Sequence, residues 1–393
     1  MAEQDPLQSA QHNQFGTQTR QVLEGVPQIG FELQKLKPAD GLSRCPETTP
    51  FASCLRACLE FLGDGYGHRE IEAEGKSWRL DNAYTHLMGV TGLAFRLTWK
   101  PGWHPDNPDI FRMSDDPLEP VRRGFHAVGY DHEVLCSAGS RDDEARLRER
   151  IIESIFDKRR PVIAQGVVGP PESCLVAGYD ENGEVLIGWS FFQDFPPFNA
   201  GVEFDASGYF RKRDWFRDTP SLILIGDKSA RPPRHEVYRR ALAWALDVVR
   251  RPVVSDGRHS GLAAYTAWAE GILNDREFPA DDIDSLRARY EVHDDAAGIV
   301  AEGRWYAAQF LKQVAEDEKA MASNLAEAVR CYEAEHDLVW KIWRIFGGPG
   351  RSDDRARKLF DPGVRRETAA IILEARSLDE EAAGHIETAL QQF

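Results

Sequence analysis

The stretch RCPETTPFASCLRACLEFLG, residues 44–63, decides the fold prediction. Its apolar side chains recur at helical spacing, and they are Phe51, Cys54, Leu55, Cys58, Leu59 and Leu62. Thr48 or Thr49 can cap the start of this helix, and Pro50 suits its first turn. We therefore predict a buried helix over about 49–62. Cys45 precedes it, where the positive end of the helix dipole would favour a thiolate.

The composition of the 393 residues is that of a globular protein, with 42% hydrophobic and 28% charged residues. A net charge of −16 gives no electrostatic support to nucleic-acid binding or to contact with an anionic membrane. No apolar run reaches the length of a membrane helix, and the N-terminus lacks the apolar core of a signal peptide. The six cysteines show no Cys-x-x-Cys pattern. We therefore predict free thiols in a reducing cytoplasm, with no metal site and no cofactor.

The chain divides, by its patterns, into a polar tail over 1–24, an α+β domain over 25–231 and an all-α domain over 232–393. Residues 84–99 combine a glycine-punctuated segment with a strand. An amphipathic helix over 142–158 precedes a run of apolar strands, and Pro232-Pro233 marks the start of the helical part. The helices predicted beyond it are 235–250, 260–273, 281–288, 294–319, 322–346, 364–377 and 378–391.

Several short motifs then follow in a recognisable order, namely GVTGLAF (89–95), VGY (128–130), PVIA (161–164) and VAGYD (176–180). Together with the cysteine before a buried helix, this order resembles the N-terminal domain of the butirosin-biosynthesis acyltransferase (protein H) family. That domain is similar in turn to C39-type cysteine peptidases and papain-like folds, and the helical C-terminal half resembles the domain that follows it. The resemblance implies a papain/C39-like α+β domain, an aminoacyl transfer from a carrier-protein thioester to an amine, and Cys45 as the nucleophile.

Such chemistry needs a thiolate, a base and an orienting acceptor. Cys54 is the rival nucleophile, although it lies on the apolar stripe, where a cysteine is usually a small hydrophobic residue. The papain-like histidine should precede Gly178, but the sequence there has Glu172 and Cys174. His126 stands in a similar motif, HAVGY, yet it comes too early in the chain and fits the end of a helix better.

Glu172 and Cys174 alternate along one strand and therefore share a face. If that face meets the opening helix, Glu172 could act as a general base near Cys45 or bind an amine; otherwise it is a solvated loop residue.

Binding residues are predicted around the same cleft. His86, Gly89 and Gly92 could bring backbone close to a ligand, or could serve only structure. Trp189 could line an aromatic pocket, with core packing as the alternative.

Two functions follow from these patterns. The first is a cysteine-dependent acyl or aminoacyl transferase, or an amidase, acting on a small-molecule or carrier-bound acyl substrate. The second is a catalytically degenerate papain-like protein that binds a small molecule or peptide without covalent chemistry. The missing histidine favours the second and the cysteine at a helix start favours the first. The sequence leaves open whether the chain forms a homodimer.

Overall fold

The structure is a computed structural model, and it describes residues 19–31, 33, 42–73, 75–279 and 282–393. Most of the predicted polar tail, up to residue 18, lies outside the described residues. No helix among the described residues has the length and apolarity that crossing a membrane requires.

Strands dominate the middle of the chain. They are β1 (Gln21–Val22), β2 (Ser43–Arg44), β3 (His68–Ala73), β4 (Lys76–Asp81), β5 (Thr98–Trp99), β6 (Tyr130–Cys136), β7 (Val162–Gln165), β8 (Ser173–Asp180), β9 (Val185–Trp189), β10 (Val202–Phe204), β11 (Phe210–Arg213), β12 (Ser221–Lys228), β13 (Val253–Val254) and β14 (Arg258–Ser260).

Helices dominate the last 160 or so residues. They are α1 (Pro50–Phe61), α2 (Asn82–Val90), α3 (Glu119–Val128), α4 (Arg141–Ile152), α5 (Arg234–Arg250), α6 (Leu262–Leu273), α7 (Ile283–Asp317), α8 (Ala322–Phe346), α9 (Asp353–Lys358) and α10 (Pro362–Leu390). The chain is therefore a mixed α+β protein with a helical C-terminal region, which confirms the prediction at that level.

The predicted opening helix is α1. Pro50 occupies its first turn, and its residues from Pro50 to Leu59 are all buried. Gly63 follows with φ of +70°, a conformation that glycine adopts without strain. The capping prediction is half right, because Thr49 is the N-cap residue but its side chain accepts no hydrogen bond from the helix.

Several predicted boundaries need correction. The first half of the segment predicted as glycine-punctuated, 84–99, is the helix α2, which Asp81 caps by accepting hydrogen bonds from the backbone N–H groups of Ala83 and Tyr84. The helices predicted at 281–288 and 294–319 are one helix, α7, and those predicted at 364–377 and 378–391 are one helix, α10. The C-terminal part is not purely helical, because β13 and β14 form a small sheet with β5.

The described residues form two compact units, which differ from the linear division predicted at Pro232. The first unit comprises residues up to Gly30 and Glu133–Ile225. The large sheet has the order β10-β11-β9-β8-β7-β12-β6, with β1 also pairing with β8, and β7 to β11 lie entirely within this unit. The pairings from β10 through β12 are antiparallel. The three central strands, β7 to β9, are almost entirely buried, as their continuous apolar sequence requires.

The second unit comprises Phe31–His132 and Gly226–Phe393. The segment that carries α1, α2 and α3 therefore belongs to the same unit as the C-terminal helices. A large apolar core joins α6, α7, α8, α9 and α10, with Trp268, Tyr290 and Phe346 among its members. Hydrogen bonds of Glu302 and Tyr306 also connect α7 with the segment before α1, which carries Cys45.

Candidate functional site

Cys45 lies between β2 and α1 and is only 3% exposed. Its backbone N–H donates to the carbonyl oxygen of Arg79 at 2.9 Å. Burial, and then the negative charge of Glu47, raise the pKa of the Cys45 thiol to about 12, and Arg69 opposes this only in part. The thiol is therefore protonated at neutral pH, and the thiolate that we predicted from the helix dipole is not favoured in this structure.

The N-terminus of α1 is occupied by a carboxylate of the same unit. Glu302, on α7, accepts hydrogen bonds from the backbone N–H of Thr48 and from the hydroxyl groups of Thr49 and Tyr84, the last two at 2.7 Å each. Tyr84 in turn accepts a hydrogen bond from the backbone N–H of Thr49 at 3.0 Å. Sequence reasoning missed Glu302 because an isolated glutamate within a long helix carries no local signal.

A buried ion pair fixes the loop between Cys45 and α1. Glu47 is 2% exposed and Arg56, on α1, is 1% exposed, and their closest side-chain atoms are 2.9 Å apart. Glu47 also accepts a hydrogen bond from the Ser53 hydroxyl at 3.2 Å. The carbonyl oxygen of Pro46 accepts a hydrogen bond from the Tyr306 hydroxyl at 2.7 Å. These contacts hold the loop that carries Cys45 in a closed, buried position.

Two further candidates in this unit lie in the core. Cys54 is fully buried within α1. His86, on α2, is buried among aromatic rings, with its centroid 5.2 Å from that of Tyr66. Burial, followed by the charges of Arg234 and Arg231, lowers the pKa of His86 to about 4, so the ring is neutral at pH 7. Both side chains have the surroundings of structural residues, and their predicted binding roles stay predictions.

Packing explains both glycines of the predicted binding segment. A Cβ atom on Gly89 would overlap the ring of Phe310, on α7, and one on Gly92 would overlap the indole of Trp244, on α5. Gly92 also has φ of +84°. The backbone does pass close to a neighbour here, as the sequence suggested, but that neighbour is a helix side chain in each case.

Glu172, Cys174 and Trp189 belong to the first unit, whereas Cys45 belongs to the second. Cys174, on β8, is buried, and its pKa is raised to about 12 by burial, against hydrogen bonds from the backbone of Val167 and Val168. Glu172 precedes β8, with its carbonyl oxygen accepting from the Gly166 N–H at 2.9 Å. Trp189 donates its indole N–H to the carbonyl oxygen of Val26 at 3.2 Å and packs on Tyr209. These contacts hold the backbone and the core of the first unit in place.

A cavity of about 600 Å³ lies between α3 and α5 in the second unit. We call it the α3–α5 cavity, and its charged and ionisable lining includes Glu119, Arg122, Arg123, His126, Asp131 and Arg240. A volume of about 600 Å³ is within the range of small-molecule sites, and the charged lining suits a polar ligand. His126, which the sequence suggested as a helix end, is indeed in the last turn of α3, before Gly129 with φ of +72°.

The arginine side chains that line the α3–α5 cavity differ in how many carboxylates they pair with. Arg122 forms ion pairs with Asp116 and Glu119, and Arg123 pairs with Glu119 at 2.7 Å. Arg123 also lies over the ring of Trp244, 4.3 Å from its centroid. Within the described part of the chain, Arg240 forms no ion pair, and its guanidinium lies 3.0 Å from Nε2 of His126. Arg240 is therefore the cation in the cavity that an anionic ligand would neutralise.

Comparison with known proteins adds no family assignment. No protein-family model matches the chain, and no curated protein matches it at a significant level.

Proposed function

We propose that this chain is a papain-like protein that has lost its cysteine chemistry and binds a small anionic molecule without covalent bonds in the α3–α5 cavity. The observation that carries this proposal is Arg240, a cation without an ion pair among the described residues, at a cavity of about 600 Å³. A ligand carboxylate or phosphate would accept hydrogen bonds from its guanidinium in a bidentate manner. Asp131, which also lines the cavity, would accept a hydrogen bond from an amine or hydroxyl group of the same ligand.

The surroundings of Cys45 support the loss of catalysis. A helix N-terminus is a ready site for an anion, and a thiol enzyme could use such a site to stabilise a negatively charged oxygen of its substrate. Here Glu302 lies at the start of α1, where it accepts hydrogen bonds from the Thr48 N–H and the Thr49 hydroxyl, and it accepts a third from the Tyr84 hydroxyl on α2. A negatively charged substrate oxygen that approached this position would meet the Glu302 carboxylate.

Thiol-dependent acyl or aminoacyl transfer is the second candidate. The position of Cys45, five residues ahead of the first residue of α1, favours it, as does the chain order of a cysteine, a buried helix and then an antiparallel sheet. This reaction would require the loop over residues 45–49 to open, so that Cys45 reaches solvent and loses its proton. The two proposed functions therefore differ in the reactivity that they predict for the Cys45 thiol.

We expect Cys45 of the native protein to react with iodoacetamide at least about 100-fold more slowly than Cys136 at neutral pH, because a buried thiol with a raised pKa supplies almost no thiolate. Cys136 serves as the internal reference since it is exposed. The extent of labelling at each cysteine is read by mass spectrometry of peptides across pH 5 to 9. Labelling of Cys45 ahead of Cys136, with an apparent pKa well below that of a free thiol, would instead support the acyltransferase.

We expect Arg240→Ala to weaken the binding of inorganic phosphate or succinate by at least about 10-fold, because it removes the guanidinium of the α3–α5 cavity that has no carboxylate partner among the described residues. The measurement is isothermal titration calorimetry, with a thermal-shift assay on the same samples. Arg239→Ala is the matched control, since Arg239 is the exposed neighbour on α5 and is not part of the cavity lining. Equal binding by both variants, or no binding by the unmodified protein, would refute this site.

A further inference from the structure

Three side chains with different donor atoms converge on the surface between α8 and α10. Cys331 lies on α8, and Glu381 and His385 lie one helical turn apart on α10. One ligand atom from each residue lies within 4.8 Å of the others. Oε1 of Glu381 and Nε2 of His385 are 3.8 Å apart. This group is separate from the α3–α5 cavity, and the proposed function makes no use of it.

We propose that Cys331, Glu381 and His385 bind a Zn²⁺ ion, with a water molecule as the fourth ligand. Thiolate sulfur, imidazole nitrogen and carboxylate oxygen are the three kinds of ligand that zinc uses in proteins. A thiolate and a carboxylate together supply two negative charges, which balance the charge of the ion. Ca²⁺ and Mg²⁺ take oxygen ligands, so the sulfur and nitrogen donors select against them.

The exposure of the three side chains fits this site. Cys331 is only 7% exposed and is held by α8, so it provides a fixed ligand. The side chains of Glu381 and His385 are 63% and 29% exposed, and their rotamers can adjust. Donor atoms around tetrahedral zinc are roughly 3.3–3.8 Å apart, given metal–ligand distances of about 2.0–2.3 Å. The three donor atoms, which lie within 4.8 Å of one another, need to approach by at most about 1.5 Å to reach this spacing.

Zinc binding releases a proton from the protein. The Cys331 thiol gives up its proton to solvent as the sulfur–zinc bond forms, and His385 ligates through an unprotonated ring nitrogen. No oxidant or second reactant takes part. The fourth position remains open to water, as it does in zinc sites with three protein ligands.

The test is a titration of the full-length protein, first freed of metal by a chelator, with Zn²⁺ in a calorimeter and with Co²⁺ in a spectrophotometer. We expect one metal ion per chain and a near-ultraviolet sulfur-to-cobalt absorption band. Cys331→Ser should abolish that band, and both Cys331→Ser and His385→Ala should weaken Zn²⁺ binding by at least about 10-fold. Cys136→Ser is the matched control because Cys136 is an exposed thiol of the other unit, and it should change neither result.

A second measurement keeps the test independent of folding defects. Zn²⁺ should raise the melting temperature of the unmodified protein, because an ion that binds only the folded state stabilises it, and it should not do so for Glu381→Gln. Glu381 is exposed, so its substitution leaves the fold intact. Absence of one-to-one binding, or zinc binding that is unchanged in His385→Ala and Glu381→Gln, would overturn the proposal.

Discussion

Arg304→Ala is expected to lower the free energy of unfolding by about 3–5 kcal/mol, the cost of removing one partner from a buried ion pair. Arg304, on α7, is fully buried, and its guanidinium donates to Asp379 at 2.6 Å and to the Tyr265 hydroxyl at 2.9 Å. It also donates to the backbone carbonyl oxygens of Ala94 and Arg96, at 3.0 and 3.2 Å. The measurement is chemical denaturation, monitored by circular dichroism.

The expected loss of stability is large because Arg304→Ala would leave two buried carboxyl groups without their cation. Asp379, on α10, and Glu335, on α8, are both fully buried, and burial together with Asp379 raises the pKa of Glu335 well above its usual value. Without Arg304 the charge of Asp379 has no cation beside it, which is costly in a medium of low polarity. Tyr265, on α6, also donates to Glu335, so the same cluster joins four helices.

A control on α10 separates this effect from the general loss of an arginine. Arg366 is exposed, and Arg366→Ala should change the free energy of unfolding by less than about 0.5 kcal/mol. The double variant Arg304→Leu/Asp379→Leu should regain part of the lost stability, because it removes the buried charge as well. A loss below about 1 kcal/mol for Arg304→Ala would contradict the role that we assign to the cluster.

Acid should destabilise the protein through His293, by about 2 kcal/mol at pH 5 relative to pH 7.5. His293, on α7, is buried in the helical core, and its Nδ1 accepts a hydrogen bond from the Trp268 indole N–H at 3.1 Å. Burial lowers the pKa of His293 from 6.5 to about 3. The unfolded chain therefore binds a proton between these pH values while the folded protein does not, so stability is full above pH 6.5 and is lost as the pH falls.

The measurement compares the pH dependence of the free energy of unfolding in the unmodified protein and in His293→Asn. The variant should be less stable at neutral pH, but its stability should fall less steeply between pH 7.5 and 5. His235→Asn, which replaces an exposed histidine, should retain the original slope. Identical slopes for all three proteins would show that His293 is not the group that titrates.

Local sequence patterns were sufficient to locate α1, the central strands and most of the C-terminal helices. Helical spacing of apolar residues predicted α1 to within about one residue at each end, because a buried stripe and a proline in the first turn are local properties. The continuous apolar runs predicted β7, β8 and β9 for a similar reason. The pattern failed at α2, where the glycines suggested an irregular segment and the N-cap Asp81 was overlooked.

The sequence by itself therefore determined the secondary structure of the longest elements, the mixed α+β class and the free cysteines. The tertiary structure decided the chemistry of Cys45, since burial raises the pKa of its thiol and Tyr306 of α7 holds the neighbouring Pro46 carbonyl. It also decided the role of Gly89 and Gly92, which Phe310 and Trp244 explain, and it brought Cys331 together with Glu381 and His385. The physical reason is that a pKa, a cavity or a ligand set depends on groups that are close in space, whereas helix and strand propensities depend on neighbours along the chain.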